Sequence, residues 1–522
     1  MLSRGFVGSL LVLLGGLVVS TLPRSSPVMD WDLLGALRGE EAGRMAGLTL
    51  VLLGLGLLAG QWLSLCRHVA LARGHDRDDA LALVRHATVV WAAPLVLAPP
   101  LFSRDGWSYA AQGMLAHVGL SPYEHGPSVL RGPVVEAVDP RWLDTIAPYG
   151  PVPLALGGLA AGETGNPWVL VVGHRVVALL GLALLAWAVP RLAQWRGVDP
   201  ALASAVVLAS PLMLAHGVGG LHNDLLMVGL MAAALVLAVE HTWWLGVLVG
   251  GLAAAVKVPG GLVCVAIVLV SLPVGTPLAA RVRRLAGAAA LALGMVAGLG
   301  VLTGLGVGWV HGLTVPGTVN TPLSVTTLLG GAIDWTAAVI GLDLGPATFL
   351  GLVRGLGSLI TVGVILHVAL RGRTGSRPEA LHGLAVMVGA TVLLGPVVHL
   401  WYLLWVVPFL AVLRLSRLGM VGLLATATVA GLVAPLDSSL HGAYLAIVLG
   451  SMLVACLLPV LLLTSRARDR LERIVGAVWP PAAPTPTPTP APTPAPARGS
   501  GRKPQRLVGE VGVHAEHPLH RA

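Results

Sequence analysis

The chain has 522 residues, 55% of them hydrophobic and only 11% charged, with a mean hydropathy of +0.83 and a formal net charge of +9. A soluble domain carries about 25% charged residues, so a soluble globular enzyme is excluded and an integral, polytopic membrane protein is indicated. The basic excess does not point to nucleic acid, because the arginines are spread over short loops between apolar runs, as a positive-inside bias requires.

In chain order, an apolar segment at 6–22 follows Arg4. A cleaved signal peptide and a signal anchor both fit it, and the lack of a small-x-small cleavage site favours the anchor. Either way residue 23 lies outside the cytoplasm. Further apolar runs fall near 46–66, 86–101, 168–189, 201–216, 224–241, 244–257, 259–273, 285–306, 346–370, 382–397, 400–413, 418–435 and 442–464, which predicts about fourteen membrane segments in an all-α fold. With this register Arg67, Arg73, Arg77 and Arg85; Arg191 and Arg196; Arg281, Arg283 and Arg284; Arg371, Arg373 and Arg377; Arg414 and Arg417; and Arg466, Arg468, Arg470 and Arg473 share one side, the cytoplasmic one.

The runs 244–257 and 259–273 are short for spans and meet at Lys257-Val258-Pro259-Gly260-Gly261. Pro and Gly at membrane depth break a helix, and such backbone is tolerated only against protein or a water-filled cavity. Two half-length helices that place Lys257 near a cavity are expected. The two long hydrophilic segments, 102–167 and 308–345, face outward, and residues 1–479 form one transmembrane domain. From 480 to 522 a Pro/Thr-rich, basic tail is expected to be disordered on the cytoplasmic side. Cys66, Cys264 and Cys456 sit in or beside apolar runs at no metal-ligand spacing, so neither a disulfide framework nor a metal site is expected.

The stretch 102–127 follows directly on an apolar run, yet gathers Arg104, Asp105, Trp107, Tyr109, Gln112, Tyr123 and His125. Asp105 is either a solvated loop acid beside Arg104 or a carboxylate held at the boundary between lipid and water. All five tyrosines, Tyr109, Tyr123, Tyr149, Tyr402 and Tyr444, fall on the outer side. An aromatic belt would decorate both faces, whereas a sugar site uses aromatic faces together with groups that both donate and accept hydrogen bonds. His222-Asn223-Asp224 precedes a span, where Asp224 either caps the helix or faces a site.

Lys257, Arg175 and Arg354 are cations at membrane depth, and His174 adjoins Arg175. An ionisable group there is costly and needs a partner. The candidates are Asp224 or Glu163, or an anion delivered from the lipid, such as a phosphate. Gly395-Pro396-Val397-Val398-His399-Leu400-Trp401-Tyr402 interrupts two apolar runs at the outer surface, as a plain hairpin or as an imidazole with two aromatics beside the cavity. Asn320-Thr321-Pro322-Leu323-Ser324 and Asp437-Ser438-Ser439 are weaker outer patches. No Gly-rich phosphate loop, zinc spacing or nucleophile elbow is present, which argues against an ATP-driven pump.

Phe102-Ser103-Arg104-Asp105, Ser108-Tyr109-Ala110-Ala111-Gln112-Gly113, Pro122-Tyr123 and His125-Gly126-Pro127 together resemble the first outer loop of the actinobacterial polyprenol-phosphomannose-dependent alpha-1,6-mannosyltransferases. His222-Asn223-Asp224, Ala255-Val256-Lys257-Val258-Pro259 and Gly395-Pro396-Val397-Val398-His399 with Trp401-Tyr402 follow in the same order. The resemblance covers most of residues 46–465. It departs at Gly106-Trp107, where Val-Tyr is expected, and at Leu400, where Pro is expected, and both departures bear on the acceptor pocket.

The resemblance implies a GT-C type membrane glycosyltransferase with no cofactor. Its donor would be polyprenyl-phosphate-mannose and its acceptor a growing lipid-anchored alpha-1,6-mannan, as in lipomannan or lipoarabinomannan cores, with Asp105 as catalytic base. Lys257, Arg175, Arg354 and His174 would take the donor phosphate. Arg104, Tyr109, Gln112, Tyr123, His125, His222, Asn223, Asp224, His399, Trp401 and Tyr402 would line the substrate site. Transfer of another lipid-linked sugar, arabinofuranose or glucose, is an alternative of the same class. A flippase of lipid-linked saccharide is one of another class, and it would require ionisable groups lining the whole path.

Overall fold

Runs of Ala, Leu, Val and Gly punctuated by Pro and Gly form helices throughout the computed structural model, which describes residues 1–342, 345, 347–436 and 465–479. Among the described residues there is no strand. The expected span 442–464, with Tyr444 and Cys456, the Asp437-Ser438-Ser439 patch and the tail 480–522 lie outside them. Contacts group Met1–Pro481 as one unit and Ala482–Ala522 as another.

The helices run in chain order as α1 (Leu2–Val19), α2 (Asp32–Gly39), α3 (Glu41–Leu71), α4 (His75–Val96), α5 (Asp105–His117), α6 (Pro151–Glu163), α7 (Pro167–Gln194) and α8 (Pro200–Leu208). They continue as α9 (Asp224–Glu240), α10 (Trp243–Val256), α11 (Leu262–Ser271), α12 (Leu278–Leu302), the short α13 (Trp309–Gly312) and α14 (Val315–Thr318), then α15 (Val325–Val339), α16 (Thr348–Arg371), α17 (Arg377–Leu393), α18 (Leu403–Ala411) and α19 (Arg417–Leu432). A final helix spans Ser465–Val478.

Six of these, α1, α3, α4, α7, α12 and α16, are long and apolar enough to cross a membrane, or seven if α8 and the π-helical segment Met213–Gly219, bent by 60°, form one crossing. Several of the remaining expected segments are apolar helices too short to do so alone, including α10, α18 and α19. At 14 and 10 residues, α10 and α11 each rise well under the ~30 Å of a hydrocarbon core. The break between them is the one expected: Lys257 is extended and Pro259 sits in a 3-10 turn, Val258–Gly261.

The helix ends sort by chemistry. α9 begins at Asp224 and ends at Glu240, whose carboxylate meets Arg191 near the end of α7 at 3.6 Å. The Arg377 guanidinium at the start of α17 lies over Trp195, and Arg284 lies over Trp243 at the start of α10. Arg281 donates to the Leu370 carbonyl and Arg77 meets Asp199. Five of the arginines expected on one side, Arg77, Arg191, Arg281, Arg284 and Arg377, thus make contacts between helix ends. The opposite ends of α9 and α10 carry Asp224 and Lys257.

α7 and α9 approach through glycines. A Cβ placed on Gly229 would lie 2.4 Å from the Gly181 carbonyl oxygen, nearer than any real contact, so only glycine permits this crossing. By contrast Gly355, on α16, has open space around it. Gly229→Ala should therefore lower stability by about 1–3 kcal/mol, read as a lower thermal midpoint of the purified protein in detergent. Gly355→Ala should leave that midpoint unchanged or raise it slightly.

Candidate active site

A cavity of ≈ 280 Å³ opens between α5, the α10–α11 break, α13–α14 and the turn that leads into α18. Its polar and aromatic lining includes Asp105, Ser108, Gln112, Tyr149, Lys257, His399, Trp401, Tyr402 and Trp405, and its apolar lining includes Val258, Pro259, Leu313, Val315, Pro316, Val319 and Val397.

Asp105 is the first residue of α5, where the helix dipole favours a carboxylate. Its backbone N–H donates to Ser103 Oγ at 3.1 Å, which fixes the start of the helix. The side chain is 13% exposed, and its Oδ2 lies 3.4 Å from His222 Nδ1 and 3.5 Å from the Tyr109 hydroxyl. Burial alone would raise the carboxyl pKa. His222 against it, with His399 and Lys257 nearby, outweighs the burial and holds the group below the ordinary aspartate range.

Lys257 and Asp224 form a second pair. Lys257 Nζ donates to Asp224 Oδ1 at 2.9 Å, with the side chains 12% and 1% exposed, and Trp405 Nε1 donates to the same oxygen at 2.5 Å. Asp224 makes no side-chain cap to α9 and does not line the cavity; its carboxylate is the buried partner of Lys257. The ammonium also lies over the rings of Tyr402 and Trp405, at 4.5 and 5.0 Å, a cation–π box that holds the charge where water is scarce. Behind it Tyr149 packs edge-on to Tyr109 at 5.3 Å.

A three-ring stack closes the site. His222 and His399 lie on the two sides of this stack against Trp401, at 3.9 and 4.2 Å with interplanar angles of 12° and 6°. The turn that presents His399 is pinned from outside. Ser324 and Thr326 hydroxyls donate to the Gly395 carbonyl, Thr327 to that of Pro396, and the Val398 N–H donates to Thr321 Oγ1. The polar patch beginning at Asn320 is therefore a brace.

Three expected phosphate ligands stand elsewhere. Arg175 is buried with its guanidinium spent on backbone: it donates to the carbonyls of Val96, Ala98 and Gly219. Val96 ends α4, Ala98 follows it and Gly219 ends the π segment, where carbonyls need partners from outside the helix, so Arg175 clamps the two loops that lead to Asp105 and to His222-Asn223-Asp224. Those loops are strained, with Phe102 and Leu221 at φ +62° and +59°, and the clamp supplies the over-determination that such backbone needs. Arg354 donates to Thr327 Oγ1, Asn320 Oδ1 and the carbonyls of Gly317 and Val319, organising the segment that bears the brace. His174 packs against the Tyr109 ring at 5.8 Å, outside the cavity lining. Of the four, Lys257 alone lines the cavity.

Among the expected substrate contacts, Gln112, His399, Trp401 and Tyr402 line the cavity, whereas Tyr109 and His222 stand one layer behind Asp105. Tyr123 is buried, its hydroxyl donating to the Tyr149 carbonyl at 3.1 Å and its ring filling the space that a Cβ at Gly308 would take. Arg104, His125 and Asn223 do not line the cavity. Trp405 and Thr145 line it without having been singled out, as do Tyr149, noted above among the outer tyrosines, and Ser108, noted in the first-loop motif. Trp405 was findable, since it follows Tyr402 by one helical turn and shares its face. Among the described residues no three His, Cys, Asp or Glu side chains converge as metal ligands.

Comparison with known proteins finds similarity over most of the chain. The model of the alpha-(1→6)-mannopyranosyltransferase N-terminal domain matches residues 2–273, and that of the MptB C-terminal domain matches 326–465. Alpha-(1→6)-mannopyranosyltransferase A of Mycobacterium tuberculosis is 32% identical over 458 residues, covering 84% of this chain and 85% of its own. A probable alpha-(1→6)-mannopyranosyltransferase of Mycolicibacterium smegmatis is 32% identical over 441 residues, 77% of each chain. Alpha-(1→6)-mannopyranosyltransferase B of Corynebacterium glutamicum is 28% identical over 441 residues, 78% of this chain and 72% of its own.

The Asp224–Lys257 pair sets a prediction. Asp224→Asn leaves a buried ammonium without its counter-charge and should cost about 3–5 kcal/mol, seen as a large drop in thermal midpoint. Combining it with Lys257→Met removes the orphan charge and should recover much of that loss.

Proposed function

Because the chain belongs to the alpha-(1→6)-mannopyranosyltransferase family, we propose that this membrane mannosyltransferase takes mannose from polyprenyl-phosphate-mannose and adds it to a lipid-anchored alpha-1,6-mannan. The cavity is its active centre, in a GT-C type architecture with a long catalytic first loop. The observation that carries the reading is the company of Asp105 and Lys257 in one cavity, an acid and a fixed cation whose apolar surroundings suit a lipid-linked phosphate.

In this reading Asp105 takes the proton of the acceptor hydroxyl as its oxygen bonds to C1 of the mannosyl group. The bond from C1 to the phosphate oxygen breaks, and the polyprenyl phosphate leaves with the electron pair. Direct displacement converts a beta-linked donor to an alpha product. A positioned general base contributes about 10²–10⁴ in rate. The departing phosphate gains negative charge, and the Lys257 ammonium, held in place by Asp224 and two rings, offsets it without moving. Gln112 Oε1 is buried without a hydrogen-bond partner. That suits a site completed by a sugar hydroxyl, since buried polar atoms in folded proteins are otherwise paired. Trp401 and Tyr402 offer the aromatic faces.

Outward orientation of the site follows on this reading from the sorting of helix ends, with arginines gathered at the end of α9 and α10 opposite to Asp224 and Lys257. The test is transfer of labelled mannose from polyprenyl-phosphate-mannose to a short alpha-1,6-mannoside by membranes containing the chain, beside Asp105→Asn at equal protein level. The parent should transfer, and the variant should lose about 10²-fold or more. Equal activity in the two would remove Asp105 as base, and inactivity of the parent with this donor would remove the donor class.

A further inference from the structure

We infer that His222 is the positioning residue of the catalytic base, holding Asp105 by Oδ2 so that Oδ1 is the oxygen turned to the acceptor hydroxyl. The inference rests on Asp105 being the base. It is carried by an asymmetry in the contacts of that carboxylate. Oδ2 has two neighbours, His222 Nδ1 at 3.4 Å and the Tyr109 hydroxyl at 3.5 Å. Oδ1 accepts no hydrogen bond from any described residue, and Asp105 lines the cavity.

The imidazole is built for that role and not for touching substrate. Its side chain is 0% exposed and absent from the cavity lining. Trp401 covers one ring face at 3.9 Å, and Gly220 approaches its edge so closely that an added Cβ would lie 3.1 Å from it. The loop that carries it is fixed at Gly219 by Arg175 and by the Leu101 N–H, and Leu101 itself lies on the loop leading to Asp105. Acid and imidazole are therefore set by one clamp. A ring whose rotation is blocked and whose Nδ1 faces Oδ2 fixes the side-chain torsion of Asp105, and a misplacement of about 1 Å at a reacting group can cost about 10²-fold.

The groups that face Asp105 from the surrounding elements are Tyr109 on its own helix, Tyr149 before α6, His222 before α9, the Lys257–Asp224 pair at the α10 break, and His399 and Tyr402 before α18. Removing His222 takes away the strongest of the influences that favour the carboxylate and leaves burial in place. The proton then binds at higher pH.

The experiment compares the full-length parent with His222→Phe, which keeps an aromatic ring on Trp401 but removes the N–H, and with His222→Gln, which keeps a donor. Mannosyl transfer is measured across pH. His222→Phe should lose up to about 10²-fold in kcat, with donor KM near that of the parent. The acid limb of its kcat/KM profile should move to higher pH, and His222→Gln should recover part of both. An unmoved limb with unchanged kcat would overturn the inference, as would a raised donor KM at unchanged kcat, which would mean that the ring binds substrate. If His222→Phe does not accumulate folded, His222→Gln and Tyr109→Phe, which removes the other Oδ2 neighbour, read the same limb. Full activity of Asp105→Asn would instead refute the base itself and is recognised independently.

Discussion

The buried contact of Lys257 with Asp224 is the constraint on which the site depends. It joins the α10–α11 break to the first residue of α9, and Trp405 adds α18 through the same carboxylate oxygen. An ammonium at this depth is unfavourable without a counter-charge, and a carboxylate that is 1% exposed is equally so. Neither is tolerated alone, so the three elements are held in an arrangement in which the two charges meet. That arrangement sets the wall of the cavity against which Tyr149, Tyr402 and Trp405 stand.

Around this pair the scaffold uses arginines and hydroxyls as backbone braces. Arg175 collects three carbonyls from two loops, and Arg354 collects the segment 317–327, whose serine and threonines then grip the turn before His399. Each brace lies behind irregular backbone that carries a site residue. Loops in an apolar surrounding have carbonyls that no water will satisfy, and a guanidinium with five donors in a fixed fork satisfies several at once. The precision of Asp105 and His222 is thus borrowed from residues that never meet the cavity.

The helical, membrane-type character of the chain was legible from hydropathy, because apolar runs follow from the cost of polar groups in lipid, but six or seven helices among the described residues are long enough to cross, not the fourteen segments expected. The half-length pair at Lys257 was legible because Pro259 and the glycines beside it break helices in any context. Asp105, Lys257, His399 and Tyr402 stood out as polar or aromatic residues amid aliphatics, and they do meet. What the sequence could not separate was a cation that binds a ligand from one that binds backbone. Arg175 and Arg354 have the same depth and surroundings in sequence as Lys257, and only coordinates reveal carbonyls as their partners. Trp405 lies in an apolar run where its one signal is its spacing a helical turn after Tyr402, and the layer occupied by His222 and Tyr109, behind the acid, is a three-dimensional fact with no sequence signal.

The proposed chemistry has one direction: a base on one reactant and a fixed cation for the leaving phosphate, with Asp105 the one carboxylate lining the cavity among the described residues. A single displacement inverts the sugar's anomeric centre. The measurement that decides it is the anomeric configuration of the mannosyl product formed from beta-linked polyprenyl-phosphate-mannose, read by one-bond carbon–hydrogen coupling at C1. An alpha product is expected. A beta product would require a double displacement and would contradict the role given to Asp105.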